Sequence, residues 1–85
     1  MPKTYRRIFR SSHNSPRSIR LNGRLTSLRL EPAFWDALTE IAKRRRTTVA
    51  KICAGIDAKR QQGTLASAIR VYVVRDLKRR LAHAN

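Results

Sequence analysis

The stretch RLTSLRLEPAFWDALTEIA, residues 24–42, decides the fold, because its apolar period lengthens from two to about 3.6 at Glu31-Pro32. Before that dipeptide, Leu28 and Leu30 alternate with polar residues, as in a strand with one apolar face. After it, Pro32 suits the first helical position, where its missing N–H leaves no bond unmade. The stretch therefore predicts a strand that leads directly into an amphipathic helix.

A second short alternating run comes just before this strand. Residues 18–21 are joined to it by Asn22-Gly23, a dipeptide typical of two-residue hairpin turns, since both positions accept positive φ. Folding about this turn places Leu21 opposite Arg24. It also turns Ile19 and Leu21 toward the apolar face of the later strand, so the sequence predicts an N-terminal β-hairpin.

Two further helices are predicted downstream, each preceded by a threonine able to cap it. The second begins after Thr48 and the third after Thr64. The predicted class is therefore mainly α with a short β ribbon (α+β), in the order β, β, α, α, α. Residues 1–17, polar and rich in Ser and Arg, are predicted to form a flexible basic arm, and residues 18–85 the folded domain.

The charge balance favours a polyanionic partner. The chain has 85 residues, with 20 Lys and Arg against 5 Asp and Glu, and a formal net charge of +15. Such an excess favours nucleic acid first and an anionic membrane second. No run is long and apolar enough for a membrane span, and the apolar stripes are expected to form a core, so no membrane partner is predicted. We expect a cytoplasmic, nucleoid-associated protein.

The sequence contains no recognisable catalytic or metal-binding pattern. It has three glycines and no glycine-rich phosphate loop, and Cys53, His13 and His83 follow no ligand spacing. The five acidic residues are expected on helix surfaces or at helix ends. We predict a protein that is not an enzyme and binds no cofactor or metal, with Cys53 as a small buried apolar residue.

Unpaired strand edges in this arrangement predict a second chain. The simplest arrangement that pairs these edges is a two-fold homodimer in which two copies of strand 24–30 pair antiparallel. Ser27 and Arg29 would then face outward near the symmetry axis, and a two-stranded ribbon fits the DNA major groove, about 12 Å wide. The helices would close over a shared dimer core, predicted to contain Leu28, Leu30, Phe34, Trp35, Leu38, Ile52 and Ile56.

Residues 24–42, followed by TTVAKI at 47–52, resemble the ribbon-helix-helix family of Arc/MetJ-type repressors. The similarity is to a bacterial subgroup with a Thr-Ser-x-x-Leu-Glu…Phe-Trp signature and a later LASAIR segment, residues 65–70, that leads into an extra helix. The resemblance covers about residues 18–80. It implies an intertwined homodimer, a transcriptional repressor or autoregulator, that reads double-stranded DNA with Leu25, Ser27 and Arg29.

The resemblance also implies a phosphate clamp formed by backbone amides at the start of the second helix, here those of Thr48 and Val49. Anion binding at a helix N-terminus has an independent physical basis. Position 46 is often glycine in the family, so Arg46 predicts a less tight turn between the helices. With the neighbouring basic residues, the predicted phosphate-binding set is Arg44, Arg45, Arg46, Thr47, Thr48, Val49 and Lys51.

The hairpin leaves the mode of docking open. If residues 18–21 pair with the strand 24–30 in both chains, the sheet has four strands and spans about 14 Å, which is wide for the major groove. Either the first strand peels away on binding, or the sheet docks in another manner. Two other functions remain as alternatives: a protein-interaction module, such as an antitoxin or adaptor dimer, and a nucleic-acid binder without sequence preference.

Overall fold

The computed structural model of the chain describes residues 16–84, which form a β-hairpin followed by three helices. The predicted class and element order are confirmed. The predicted arm, residues 1–17, lies outside the described residues apart from Pro16 and Arg17. The elements are β1 (Arg17–Leu21), β2 (Arg24–Leu28), α1 (Pro32–Arg44), α2 (Val49–Lys59) and α3 (Leu65–His83).

The hairpin forms in the predicted register. Leu21 pairs with Arg24 at the turn, and the two strands run antiparallel. Asn22 and Gly23 have φ values of 51° and 83°, the left-handed conformation that a type I′ turn requires at both positions. β2 ends at Leu28, a little short of the predicted strand end.

The apolar face of the hairpin packs on the helices. Leu21 and Leu28 are 0% and 4% exposed, and Ile19 is half-buried against the same core. Most of the contact between hairpin and helices is made by β1 on α2. The first strand is therefore part of the folded core.

The centre of the core receives one fully buried side chain from each helix, Leu38, Cys53 and Ile69, together with Leu30 from the segment after β2. Burying a leucine of this kind stabilises the fold by about 2 kcal/mol. The predicted dimer-core residues all pack within the single chain. Leu28, Leu30, Trp35 and Leu38 are buried, and Phe34, Ile52 and Ile56 are half-buried.

The turn between α1 and α2 is a Schellman motif with Arg46 in its left-handed position. The backbone N–H of Thr47 donates to the carbonyl of Ala42 over 2.9 Å, and that of Arg46 to Lys43 over 3.2 Å, the two bonds that define the motif. Arg46 has a φ of 55°. The expectation of a less tight turn is therefore wrong, because the arginine adopts the conformation that glycine would take.

Both predicted threonine caps are confirmed. The Thr48 hydroxyl accepts a hydrogen bond from the backbone N–H of Lys51 over 3.1 Å. The Thr64 hydroxyl accepts one from Ser67 over 3.0 Å. Each bond satisfies one of the free amides of a first helical turn, which fixes where α2 and α3 begin.

One acidic residue is buried, contrary to the expectation that all five lie on helix surfaces or ends. Asp76 of α3 is 2% exposed. Arg44 and Arg45 at the end of α1 approach its carboxylate to 2.7 and 3.5 Å, and Arg79 and Arg80 to 3.6 and 4.0 Å. A buried carboxylate is tolerated when cations compensate its charge, and here four guanidinium groups do so.

Candidate nucleic-acid interface

The face of the hairpin turned away from the helices is polar and basic. Ser27 and Arg29 are exposed, and Leu25 is 65% exposed. The structure thus places the three predicted base-reading residues in one row along β2 and its extension. A leucine so exposed beside arginines is available for contact with a partner, such as the methyl group of a thymine.

Arg20 belongs to the same surface, although it is not among the predicted base-reading residues. It is exposed on β1 and lies directly across the hairpin from Leu25, while Ser18 lies across from Ser27. The signal was available, because the inward positions of Ile19 and Leu21 leave Arg20 outward. We call this surface the hairpin outer face; it consists of Ser18, Arg20, Leu25, Ser27 and Arg29.

Two contacts hold β1 in place beneath this face. Leu21 is fully buried. The Arg17 guanidinium lies 4.6 Å from the centre of the Trp35 ring, close enough for cation–π attraction. Peeling β1 away would expose Leu21 at a cost of about 2 kcal/mol and would break the contact of Arg17 with Trp35.

The second edge of β2 is available for pairing. Within residues 16–84 the sheet consists of two strands, so β2 has a hydrogen-bonded neighbour on one side only. The peptide groups of the other edge present the donors and acceptors that an antiparallel strand would need.

The start of α2 offers free amides to an anion. The N–H of Lys51 is taken by Thr48, and that of Ile52 begins the helical bonding pattern. The amides of Val49 and Ala50 have no acceptor among the described residues. The first turn also lacks an acidic side chain, so the positive end of the helix is not neutralised there.

The basic cluster at the end of α1 is divided between two roles. Arg44 and Arg45 contact the buried Asp76, and Arg45 also lies 5.6 Å from the centre of the Tyr72 ring. Arg46 is exposed and has no carboxylate partner in the described part of the chain. Of the predicted phosphate-binding residues, Arg45, Thr47 and Lys51 line one cavity of about 300 Å³.

A protein-family model matches the part of the chain that contains the hairpin and most of the three helices. The family model for the ribbon-helix-helix domain matches residues 15–77. The chain belongs to the ribbon-helix-helix domain family. Domains of this family are typically regulatory modules without enzymatic activity, and they generally bind DNA as dimers. The matched region of this ribbon-helix-helix chain includes β1 and the first two thirds of α3, so both elements lie inside the family domain.

One solved structure is similar to this ribbon-helix-helix chain over most of its length. It is an uncharacterized protein from Bordetella pertussis Tohama I, with a TM-score of 0.72 and 32% sequence identity. The match covers 88% of this chain and 64% of that protein, so the chain spans slightly less than two thirds of its relative. No curated protein sequence gave a match.

Three other features of this ribbon-helix-helix chain were considered within residues 16–84: its cysteine, possible metal-binding clusters and possible membrane-spanning helices. Burial raises the pKa of the Cys53 thiol to about 11, so it is protonated at neutral pH and a poor nucleophile. Across residues 16–84, His, Cys, Asp and Glu side chains form no cluster that could hold a metal ion. None of the helices in that range is both long and apolar enough to cross a bilayer.

Proposed function

We propose that the chain is a homodimeric, sequence-specific DNA-binding protein that represses transcription, most simply by covering a promoter-proximal site. The observation that carries this proposal is the hairpin outer face, an exposed row of cationic and hydrogen-bonding side chains on a family of DNA-binding domains. The net charge of +15 supports a polyanionic partner. Double-stranded DNA is the partner, and the protein acts in the cytoplasm at the nucleoid.

The dimer forms through the open edge of β2. Two copies of β2 pair antiparallel about a two-fold axis, which satisfies the peptide groups that a single chain leaves open. The resulting sheet has the order β1, β2, β2 of the second protomer, and its β1. Residues of the predicted dimer core then lie beneath both hairpins.

The sheet docks with β1 in place. Its outer strands lie about 14 Å apart, wider than the major groove at about 12 Å, so only the two central strands enter the groove. The central strands therefore face the groove with Leu25, Ser27 and Arg29, and the outer strands lie above its two phosphate walls. The burial of Leu21 and the contact of Arg17 with Trp35 favour this mode over peeling.

Each residue of the hairpin outer face has a role in this mode. Arg29 donates two hydrogen bonds to a guanine, a contact that contributes about 1–3 kcal/mol of discrimination, and Ser27 adds a further contact to a base edge. Arg20, at the margin of the sheet, binds phosphate and contributes affinity without sequence preference. Phosphate contacts beyond the sheet come from the start of α2 and the basic cluster before it, that is from Arg44, Arg45, Arg46, Thr47, Thr48, Val49 and Lys51.

The test is selection of bound duplexes from a random pool at near-physiological salt, combined with sedimentation of the free protein. We expect an enriched site with two-fold symmetric halves, and a dimer at micromolar concentration. Equal affinity for random and enriched duplexes would establish a binder without sequence preference instead. Sedimentation as a folded monomer would contradict pairing through β2.

A further inference from the structure

A groove with a basic rim and an apolar floor runs between α2 and α3. Two adjoining cavities, of about 300 and 450 Å³, share Ile56, Lys59 and Tyr72. Ile56 and Tyr72 supply the floor, and Val71, 47% exposed, continues it along α3. We call this the α2–α3 groove.

The rim of the groove is positive throughout. No acidic residue of the described chain lines either cavity. Arg45, Arg60 and Arg79 on the rim are paired with Asp57 or Asp76. Lys51, Lys59 and Arg75, by contrast, have no ion pair with any described carboxylate. The groove therefore combines uncompensated positive charge with apolar surface.

Gly55 keeps the 300 Å³ part of the groove open. Glycine in a helix interior weakens the helix relative to alanine by about 1 kcal/mol. A Cβ atom at Gly55 would meet nothing within 4 Å, so no close contact inside this chain requires glycine. Because Gly55 lines the 300 Å³ cavity, a larger side chain would project into the groove.

The groove shares no residue with the hairpin outer face. Asp57 of α2 contacts Arg24 of the hairpin, and it also pairs with Arg60 on the rim of the groove. Gly55 and Lys59, which lie two residues before and after Asp57, are on the opposite side of the helix. The groove and the hairpin outer face are therefore separate surfaces that are connected through Asp57.

We propose that the α2–α3 groove binds an acidic amphipathic segment of a partner protein. Its apolar side chains pack on Ile56 and Tyr72, and its carboxylates pair with Lys59 and Arg75. A nucleic-acid backbone gains nothing from an apolar floor, because its phosphates are hydrated. An acidic segment complements the charge of this rim, whereas a second copy of this chain would bring no excess of acidic residues to neutralise it. Arg45, Thr47 and Lys51 of the 300 Å³ cavity also belong to the proposed phosphate-binding set, so the test below compares peptide and duplex binding in the same variants.

The probe for the test is a fluorescein-labelled helical peptide of about four turns. Leu and Phe occupy one face at i, i+3, i+4 and i+7, and Glu and Asp the other. One control peptide has the same composition in scrambled order, and another has the same charge without apolar residues. Affinity is measured by fluorescence anisotropy at near-physiological salt, and the site by amide chemical-shift changes around Gly55.

Two variants alter the groove and one matched variant alters the hairpin. Gly55→Leu fills the groove without changing the charge of the protein. Lys59→Glu replaces a positive charge on the rim by a negative one, and Arg20→Glu makes the same change of charge on the hairpin outer face. Circular dichroism melting checks that each variant folds. We expect Gly55→Leu and Lys59→Glu to weaken peptide binding at least about tenfold, and Arg20→Glu to leave it unchanged.

Several outcomes would overturn the proposal. The first is absence of binding, or equal binding of the scrambled and charge-only peptides, which would show general charge attraction. A loss of duplex affinity in Gly55→Leu as large as that in Arg20→Glu would make the groove a nucleic-acid contact. Conversion of a dimer to a monomer by Gly55→Leu would identify a second copy as the occupant. A wild-type protein that binds the peptide but no duplex refutes only the proposed DNA function.

Discussion

Arg44 at the end of α1 donates a 2.7 Å hydrogen bond to Asp76 of α3, whose side chain is only 3% exposed. Arg45 and Arg79 approach the same carboxylate to 3.5 and 3.6 Å. The cluster connects the C-terminal end of α1, where the carbonyl dipoles favour cations, to the middle of α3. It stabilises the position of the turn that leads into α2, and therefore of the predicted phosphate clamp.

Replacing Asp76 by Asn should lower the free energy of unfolding by about 1–3 kcal/mol. This loss in the free energy of unfolding is smaller than that expected for a fully buried ion pair, because Arg44 is 41% exposed and water screens part of the interaction. Urea unfolding measures the loss. Asp36→Asn, a change at an exposed carboxylate of α1, is the control and should have almost no effect.

A double-mutant cycle separates this contact from the other arginines. Arg44→Gln alone and together with Asp76→Asn should show a coupling energy of at least about 0.5 kcal/mol. Additive effects of the two changes would mean that Arg44 and Asp76 contribute independently, against the direct bond described above.

Replacing Arg46 by Gly should stabilise the fold and weaken DNA binding at once. The φ of 55° at Arg46 costs a residue with a Cβ atom about 1 kcal/mol relative to glycine. The change should therefore raise the free energy of unfolding by a few tenths to about 1 kcal/mol, although it removes an exposed cation. Thermal melting and duplex titration measure the two effects. If Arg46→Gly were less stable than the wild type, the backbone at position 46 would not be strained by arginine.

The same substitution should have opposite effects at two glycines. Gly23 has a φ of 83° in the hairpin turn, so Gly23→Ala should destabilise the protein by about 1 kcal/mol. Gly55 lies inside α2 with open space beside it, so Gly55→Ala should stabilise by about 0.5–1 kcal/mol. Urea unfolding of the two variants side by side is the measurement. Effects of equal sign would show that one of these conformations is incorrectly assigned.

The hairpin and the helix limits could be predicted from the sequence because their signals are local. Asn22-Gly23 fixes the turn, and alternation around it fixes the register. Thr48 and Thr64 mark the starts of two helices through bonds to their own first turns. Family membership also followed from local patterns. Dimer formation and the base-reading roles stay predictions.

The burial of Asp76 could not be predicted by the same means, because it depends on arginines contributed by another helix. A clue was present: Asp76 follows Ile69 at i+7 and so lies on the buried stripe of α3. Local patterning treats an acid as a surface residue. The expectation of a less tight turn at Arg46 was wrong for a similar reason. The family preference for glycine reflects a backbone conformation, and the hydrogen bonds of the Schellman motif hold arginine in that same conformation.

Stability should fall above about pH 9 because of Cys53. The pKa of this thiol is raised from 9.0 to about 11 by burial, so the unfolded chain loses the proton first as pH rises. The stability that the protonated thiol contributes is complete below about pH 9 and is lost between about pH 9 and pH 11, by roughly 2–3 kcal/mol in total. Urea unfolding across this range, compared with Cys53→Ala, isolates the thiol from other titrating groups. An equally steep decline in Cys53→Ala would exclude it as the cause.

Arg29 and Arg20 should differ in what they contribute to DNA binding, if the sheet docks with β1 in place. Arg29→Ala should lower affinity for the enriched site by about 1–3 kcal/mol per contact while changing affinity for random duplex little, because the lost bonds are to a base. Arg20→Ala should weaken both duplexes alike. It should also reduce the slope of log affinity against log salt by about 2 per dimer, one phosphate contact from each chain.

The control for general loss of charge is Lys78→Ala, a change at an exposed residue of α3 away from the hairpin. Should Arg29→Ala keep the full preference for the enriched site, the hairpin outer face would not be the reading surface. An unchanged salt slope in Arg20→Ala would mean that β1 leaves the sheet or lies away from the phosphates.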